Sequence, residues 1–357
     1  MRQLAYIVVK ILLKMMKNNY NLLNIMLGCG LGGLEDAGLQ YGIELQNIGY
    51  NCTNIYHQKS KMHEKMNKIP NTYFISPKNK YDIFSVWKLA KMIKKFSITH
   101  VIIHGRRAKA IILLIKFFIK MPKLIFIEHS EINISGLNKM DKIGILNNQI
   151  RHNIVKTGVN NDKICNIPNF INIESNNFVQ KSKKNELTIG WMHRFHEVKG
   201  MDIFFNAIKI LQEKGLSFNV LIGGGNIEKV PFKLGNIDLS KIKFLGWVND
   251  FQSFANQCDV FCVSSRAETF CLTMVNAMAC GVPIVSTPTN GPLDILNKIP
   301  NSAIISDDYS VKSFANAIEN FINKEDNEIE LMSQNSRKIA EIYNIKNWAL
   351  NIEKILR

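Results

Sequence analysis

The sequence lacks several features, and each absence narrows the field. Its seven cysteines (Cys29, Cys52, Cys165, Cys258, Cys262, Cys271 and Cys280) are odd in number and scattered, without one C-x-x-C pair. That disfavours a cysteine metal site or a dithiol redox centre, and fits reduced thiols in a cytosolic protein. No stretch approaches the roughly 20 uninterrupted apolar residues of a membrane span, so the chain is not expected to cross a bilayer. The apolar stretch Leu4 to Met16 is broken by Lys10 and Lys14, and no small-residue cleavage site follows it, which fits a signal peptide poorly. No helix-turn-helix, zinc-finger or aromatic RNA-binding signature is present, and no nucleic-acid partner is expected. A convincing D-x-D metal motif is also missing, since Asp307-Asp308 is adjacent, late and loop-like. No metal and no cofactor are expected.

What is present points to two domains. A chain of 357 residues, 46% hydrophobic, exceeds the size to which one core usually grows. Its net charge of +16 is lopsided: residues 1 to 180 carry 25 Lys and Arg against 10 Asp and Glu, residues 181 to 357 carry 20 against 19. The first half therefore holds the basic surface, which suits an anionic partner such as a membrane leaflet. Lys10, Lys14 and Lys17 fall on one stripe beside an apolar face, the pattern of a short interfacial helix.

Strand-length apolar runs alternate with amphipathic stretches in both halves, the βαβ rhythm of a parallel sheet covered on both faces. The first half offers strands at Leu22 to Leu27, His100 to Ile103 and Leu124 to Ile127, with a helix from about Lys109 to Lys120. The second offers Leu187 to Trp191, Phe218 to Ile222, Ile242 to Leu245, Asp259 to Val263, Pro283 to Ser286 and Ala303 to Ile305. Asn172 to Asn185, rich in Asn, Ser and Lys, reads as an interdomain linker. The expected organisation is a basic extension over 1–20, a first Rossmann-like domain over 21–176, a second over 177–340 and a terminal helix over 341–357, packing on either domain.

The first strand runs into Gly28-Cys29-Gly30-Leu31-Gly32-Gly33 ahead of a helical pattern, a setting in which backbone amides can approach a phosphate. The acidic residue that a dinucleotide site places about 20 positions on is missing from Leu45 to His63, which weakens a nicotinamide reading. In the second half, Ser264 to Leu272 brings Glu268 from a strand to a helix start, where free N–H groups can bind phosphate or sugar oxygens. Asn276 lies eight residues on, about 12 Å along a continuous helix. Arg194 and Lys199 follow the second domain's first strand, the crevice where doubly wound sheets bind ligands. Two cations there suit a diphosphate.

In this order these motifs resemble glycosyltransferase family 4 and its GT-B relatives: Gly32-Gly33-Leu34-Glu35, Arg194 with Lys199-Gly200, Gly223-Gly224-Gly225, Phe244 to Val248, Glu268 with its helix, and Ala277 to Pro283. The resemblance covers nearly the whole chain from Leu22. It implies two Rossmann-like domains facing across a cleft and a retaining, metal-independent transfer from a nucleotide-diphosphate sugar. It places the base near Trp247 and Val248, the diphosphate near Arg194, Lys199 and Gly32-Gly33, and the sugar by Glu268. Gly224, Phe270, Cys271, Leu272 and Asn276 complete the expected donor site. His129 matches a first-domain histidine close to the transferred sugar, with His104 a competing choice. The chain departs from the family at Asn276, where a second glutamate is usual, and at Thr269 and Cys271, where glycines are usual. The loss of a charged hydrogen bond to ribose should weaken donor binding by about 5- to 30-fold.

Lys88, Lys91 and Lys95, and then Lys109, Lys116 and Lys120, form two helical stripes. They would suit a glycan or lipid-linked acceptor at the inner face of the cytoplasmic membrane. The expected function is transfer from a UDP-linked donor in cell-envelope polysaccharide or lipopolysaccharide synthesis. A nucleotide-sugar epimerase of the same architecture and a non-catalytic basic binding protein remain alternatives.

Overall fold

The computed structural model describes residues 20–79, 81–131, 135–173, 178–226, 228, 230 and 236–357. The basic stripe of Lys10, Lys14 and Lys17 lies outside them. Among the described residues, no helix is long and apolar enough to cross a membrane.

The chain divides into two compact units, one from the described part of Met1–Ile167 with Ala349–Arg357, the other from that of Pro168–Trp348. The first contains β1 (Asn21–Met26), α1 (Gly33–Asn47), β2 (Asn51–His57), α2 (His63–Asn67), β3 (Thr72–Ile75), α3 (Ile83–Lys95), β4 (His100–His104), α4 (Gly105–Ile115), β5 (Lys123–Glu128), β6 (Lys142–Ile145), α5 (Asn148–Lys156) and β7 (Ile164–Asn166). Its seven strands are parallel, in the order β3-β2-β1-β4-β5-β6-β7. The second contains β8 (Leu187–Met192), α6 (Met201–Glu213), β9 (Phe218–Gly223), β10 (Ile242–Phe244), α7 (Phe251–Gln257), β11 (Val260–Val263), α8 (Leu272–Ala279), β12 (Ile284–Ser286), α9 (Asn290–Leu296), β13 (Ala303–Ile305), α10 (Val311–Ile322) and α11 (Asp326–Ile342). Its six strands are parallel too, ordered β10-β9-β8-β11-β12-β13. A last helix, α12 (Ile345–Leu356), ends the chain.

Both sheets are doubly wound, and in each the strand order reverses once, between β1 and β4 and between β8 and β11. Such switch points open a crevice at the carboxyl ends of the strands. The loops after these four strands are therefore where ligand chemistry is to be sought.

All six expected strands of the second unit form, on a core that includes Trp191, Phe204, Phe205, Phe218, Phe314 and Phe321. Three of the seven first-unit strands were expected; β2, β3, β6 and β7 are additions. The β2 segment hides its burial behind polar residues, because Asn54, Thr53 and His57 are buried with it. Asn24 of β1 donates to Gly38 O at 2.9 Å, Asn54 Oδ1 at 3.0 Å and Tyr56 OH at 3.3 Å. These bonds occupy the Asn24 amide nitrogen inside the core, while Asn24 Oδ1 and Asn54 Nδ2 stay buried without a hydrogen-bond partner.

Three boundaries move. The second unit begins at Pro168 rather than near 177, because Phe170 stacks on Trp348 with ring centroids 4.3 Å apart and Ile171 bridges to Asn344. The terminal segment is divided, residues after Trp348 clustering with the first unit, where Lys123 Nζ donates to Arg357 O at 2.8 Å. The helix expected over Lys109 to Lys120 runs over Gly105–Ile115 instead. Lys109 consequently leaves the solvent stripe: it is buried, donates to Ser135 O at 2.8 Å and lies over the Phe126 ring.

Candidate active site

At the second switch point two backbone constraints bring β8 and β11 loops together. Gly200 has φ +61°, and a Cβ there would meet Ser264 O at 1.8 Å, so only glycine lets the chains approach this closely. Ser264 Oγ donates to Lys199 O at 3.1 Å and accepts from Trp191 Nε1 at 2.9 Å. Arg266 clamps the same loop from outside through a two-pronged pair with Asp202, at 2.7 and 2.6 Å, and a bond to Glu197 O. The clamp leaves Lys199 Nζ in a short ion pair with Glu268 Oε1. Both side chains are largely buried, 18% and 10% exposed, so the pair is poorly screened by water.

Ser265 Oγ adds a hydrogen bond to the same carboxylate oxygen at 3.3 Å, and His193 Nδ1 stands 4.0 Å from it. Burial, and then the Lys199 ammonium, push His193 down to about 3, so the imidazole is neutral near pH 7. The ligand atoms of His193, Glu268 and Cys271 lie within 4.8 Å of one another. A cation is already present there, however, in Lys199. Burial also pushes the Cys271 thiol up to about 12, which keeps it from being a ready thiolate ligand.

The other expected donor residues are dispersed around this pair. Arg194 is exposed in the loop after β8. Gly224 has φ +101°, and a Cβ would meet His193 O at 2.0 Å, which ties the glycine loop after β9 to the β8 loop. Gly224 N donates to Gly246 O at 2.7 Å, which holds the next two residues beside it. Trp247 is 63% exposed, an aromatic face available for stacking, and Val248 packs near Gly223. Phe270 and Cys271 are buried, Phe270 edge-on to Tyr343, so only their main chain can serve a ligand. Helix α8 starts at Leu272 rather than at Glu268, which shortens the helical rise to Asn276 to about 6 Å. Asn276 Nδ2 donates to Leu272 O at 3.0 Å. Its amide is thus partly engaged by its own helix.

The first unit builds a different site at the ends of β1, β4 and β5. His104 and His129 do not compete: His104 Nδ1 and His129 Nε2 are hydrogen-bonded at 3.0 Å. Burial drives His129 down to about 4, and burial then His129 drive His104 well below its ordinary value. Both are neutral imidazoles, fit to exchange a proton or hydrogen-bond a hydroxyl. Beside them Glu128, which the sequence did not single out, is pushed up to about 7 by burial. The Gly28 to Gly33 loop is less open to phosphate than its pattern suggests. Gly30 N donates to Glu35 Oε1 at 3.1 Å, and Glu35 and Asp36 occupy the first turn of α1. Gly32 is extended at φ −141° and Gly33 has open space around its Cα. A phosphate there would have to displace a carboxylate.

Comparison with known proteins fits this geometry. Residues 172–339 match the family described as Glycosyl transferases group 1. An uncharacterized 41.2 kDa protein in the cps region of Klebsiella pneumoniae is 30% identical over 145 residues, 37% of this chain and 38% of that protein. The lipopolysaccharide core biosynthesis glycosyltransferase LpsE of Rhizobium meliloti is 31% identical over 135 residues, again 37% and 38%. The chain thus spans less than half the length of these relatives. Among solved structures, HepE of Anabaena in complex with UDP and glucose superposes with a TM-score of 0.78 at 15% identity, covering 94% of this chain and 98% of that one. The apo lipopolysaccharide outer core galactosyltransferase WaaB gives 0.72 at 15% identity with the same coverage. The fold is that of the GT-B glycosyltransferases.

Proposed function

We propose that this chain, whose residues 172–339 match the group 1 glycosyl transferases, is a retaining glycosyltransferase of cell-envelope polysaccharide or lipopolysaccharide synthesis. The donor is a nucleotide-diphosphate sugar, UDP-linked, and the acceptor a glycan or lipid-linked glycan. The observation that carries this reading is the Lys199–Glu268 pair, clamped at the switch point of the second sheet. Arg194 and Lys199 supply positive charge where the leaving diphosphate gains negative charge as its bond to the anomeric carbon breaks. Donors fixed in advance in a water-poor site act most strongly on such developing charge. The acceptor hydroxyl forms the new bond and gives up its proton, for which the neutral His104–His129 pair of the first unit is the available relay. Trp247 stacks on the base and Asn276 meets the ribose.

The reaction is proposed to need no metal, since the Lys199 ammonium already stands at the carboxylate that a cation would take. Support for UDP comes from HepE, which was crystallised with UDP and glucose. The working location is the inner face of the cytoplasmic membrane, in keeping with the basic first half of the chain.

The test is a thermal-shift panel of nucleotide sugars followed by product analysis with the best binder. Released nucleoside diphosphate with a lengthened acceptor supports transfer; a converted donor without an acceptor product would assign an epimerase. Arg194→Ala should lower turnover more than about tenfold, the size of a charged hydrogen bond in a water-poor site. Activity should persist in EDTA, and a loss restored by Mg²⁺ or Mn²⁺ would overturn the metal-free mechanism.

A further inference from the structure

The turn into α3 and the first turns of that helix present large apolar side chains to solvent. Tyr81 is 64% exposed, Ile83 70%, Phe84 87% and Trp87 58%. Four such residues within seven positions are far more than the scattered single exposures that any surface carries. The turn is firmly built: Asp82 caps α3 by accepting from Ser85 N at 3.2 Å and also accepts from Lys78 N at 2.9 Å. Amide hydrogen bonds consume the one carboxylate of the tip and hold it below its usual range. Behind the tip the exposed face of α3 continues with Lys88, Lys91, Lys94 and Lys95, and Lys91 Nζ sits 3.5 Å from the Trp87 ring centroid. An apolar end with a cationic collar is the composition of a surface that enters a bilayer and meets its anionic headgroups.

Next to the tip lies a cavity of about 620 Å³, lined by Asn79, Arg106, Arg107 and Lys109 among others. Asn79 joins the two features, because its Oδ1 accepts from Tyr81 N at 2.8 Å. Among the described residues, no acidic one lines this cavity. Lys109 is 6% exposed, and Arg107 is held by Leu27 O at 3.2 Å. Lys109 is thus fixed in the wall and Arg107 anchored to it, while Arg106 stands exposed at its rim.

We propose that the first unit carries a docking site for the phosphate headgroup of an anionic lipid, with Arg106, Arg107 and Lys109 receiving the phosphate while Tyr81, Ile83, Phe84 and Trp87 enter the bilayer that presents it. This deepens the proposal of a lipid-linked acceptor and rests on it. A phosphate in the cavity would hold a membrane-bound substrate in the unit that also carries the His104–His129 pair.

The experiment is co-sedimentation of the full chain with vesicles of phosphatidylcholine alone or mixed with phosphatidylglycerol, with inorganic phosphate as competitor at constant ionic strength. The wild type should favour anionic vesicles more than about tenfold, the combined effect of several near-surface cations. Phe84→Ser/Trp87→Ser should lose most of that binding, and lipids brominated in their chains should quench the wild type more than Trp87→Phe. Arg106→Glu should weaken binding and remove its sensitivity to phosphate. Wild-type binding by the tip variant, or unchanged phosphate competition in Arg106→Glu, would overturn the site. So would vesicle-independent self-association abolished by the tip variant, which would make a second copy the occupant. UDP binding is measured on the same preparations. Its retention shows the variants folded, and its failure in the wild type would count against the donor reading while leaving the lipid result standing.

Discussion

The two units share one topology but place their chemistry differently. The second reads plainly in sequence, with near-zero net charge and a buried ion pair at its switch point. The first is strongly basic, hides strands behind buried amides, and gathers uncharged imidazoles and a carboxyl pushed up by burial where the second has ions. A paired lysine and glutamate set opposite charges at one point, which is what the proposed stabilisation of a departing diphosphate would use. Groups held near neutrality by burial can accept or release a proton, as activating a hydroxyl demands. On the proposed function, donor and acceptor chemistry would divide according to which groups each unit buries and whether they are paired.

The largest effect should come from breaking the charged half of this contrast. Lys199→Ala deprives Glu268 of its charged partner, leaving Ser265, a neutral His193 and the Cys271 thiol beside it, and removes a cation from the proposed diphosphate side. Turnover should fall on the order of 100- to 1000-fold, the range for losing a fixed stabilising group. The paired substitution Lys199→Met/Glu268→Gln separates the two roles by removing the burial penalty with the pair: folding should recover and turnover should not. Wild-type turnover in either variant removes the pair from catalysis.

The second-unit strands were legible because most are short apolar runs closed by a turn, β11 and β12 being buried throughout. Burial in β2 depends instead on the partners of Asn54 and Asn24, which a one-dimensional pattern cannot supply. The strands β6 and β7 present no apolar run, because Lys142, Gly144 and Asn166 interrupt them. At the site, the pattern around Lys199-Gly200 and Glu268 was readable because glycine and charge are local signals. The Gly200–Ser264 approach, the Arg266–Asp202 clamp and the raised Glu128 were not. Each depends on residues brought together by the sheet, and no residue near Glu128 in sequence announces that its carboxyl will be buried.

The uncharged half can be tested through pH. Glu128 is raised to about 7 from an ordinary value near 4.5, so the stability contributed by its bound proton is fully present below about 4.5 and lost as pH rises through about 7. His129 is lowered to about 4, so its contribution runs the other way, lost as pH falls through that value. Glu128→Gln removes the first effect alone. Compared with the wild type, the variant should gain about 2 kcal/mol in stability on going from pH 5.5 to pH 8, read from urea midpoints of the first unit's transition. An equal pH dependence in both proteins would mean that Glu128 ionises as an ordinary surface acid.

A smaller effect tests how far the second unit departs from its relatives. Asn276 spends its Nδ2 on Leu272 O, leaving its oxygen as the acceptor for a ribose hydroxyl. Asn276→Glu restores a charged acceptor and should tighten UDP binding by about 5- to 30-fold, with turnover changing less because the ribose is remote from the bond being broken. Titration of both proteins with UDP decides it. Unchanged or weaker binding sinks the ribose assignment.

The smallest effect concerns the backbone beside Glu268. Cys271 precedes α8 at φ +69°, a left-handed conformation for a non-glycine residue, at a position where the family resemblance leads one to expect glycine. Cys271→Ala and Cys271→Gly both remove the thiol, but only the second also removes the Cβ that opposes this conformation. The glycine variant should therefore be more stable than the alanine variant by about 1 kcal/mol, although glycine alone gives the unfolded chain more freedom. Because the same turn carries Glu268 to Lys199, the two variants should also rank alike in turnover if the strain serves only to seat the loop. Should alanine be the more stable of the two, the left-handed turn at 271 costs the protein nothing, and the glycine that the family resemblance leads one to expect here would serve another purpose, such as close approach of a ligand to the main chain.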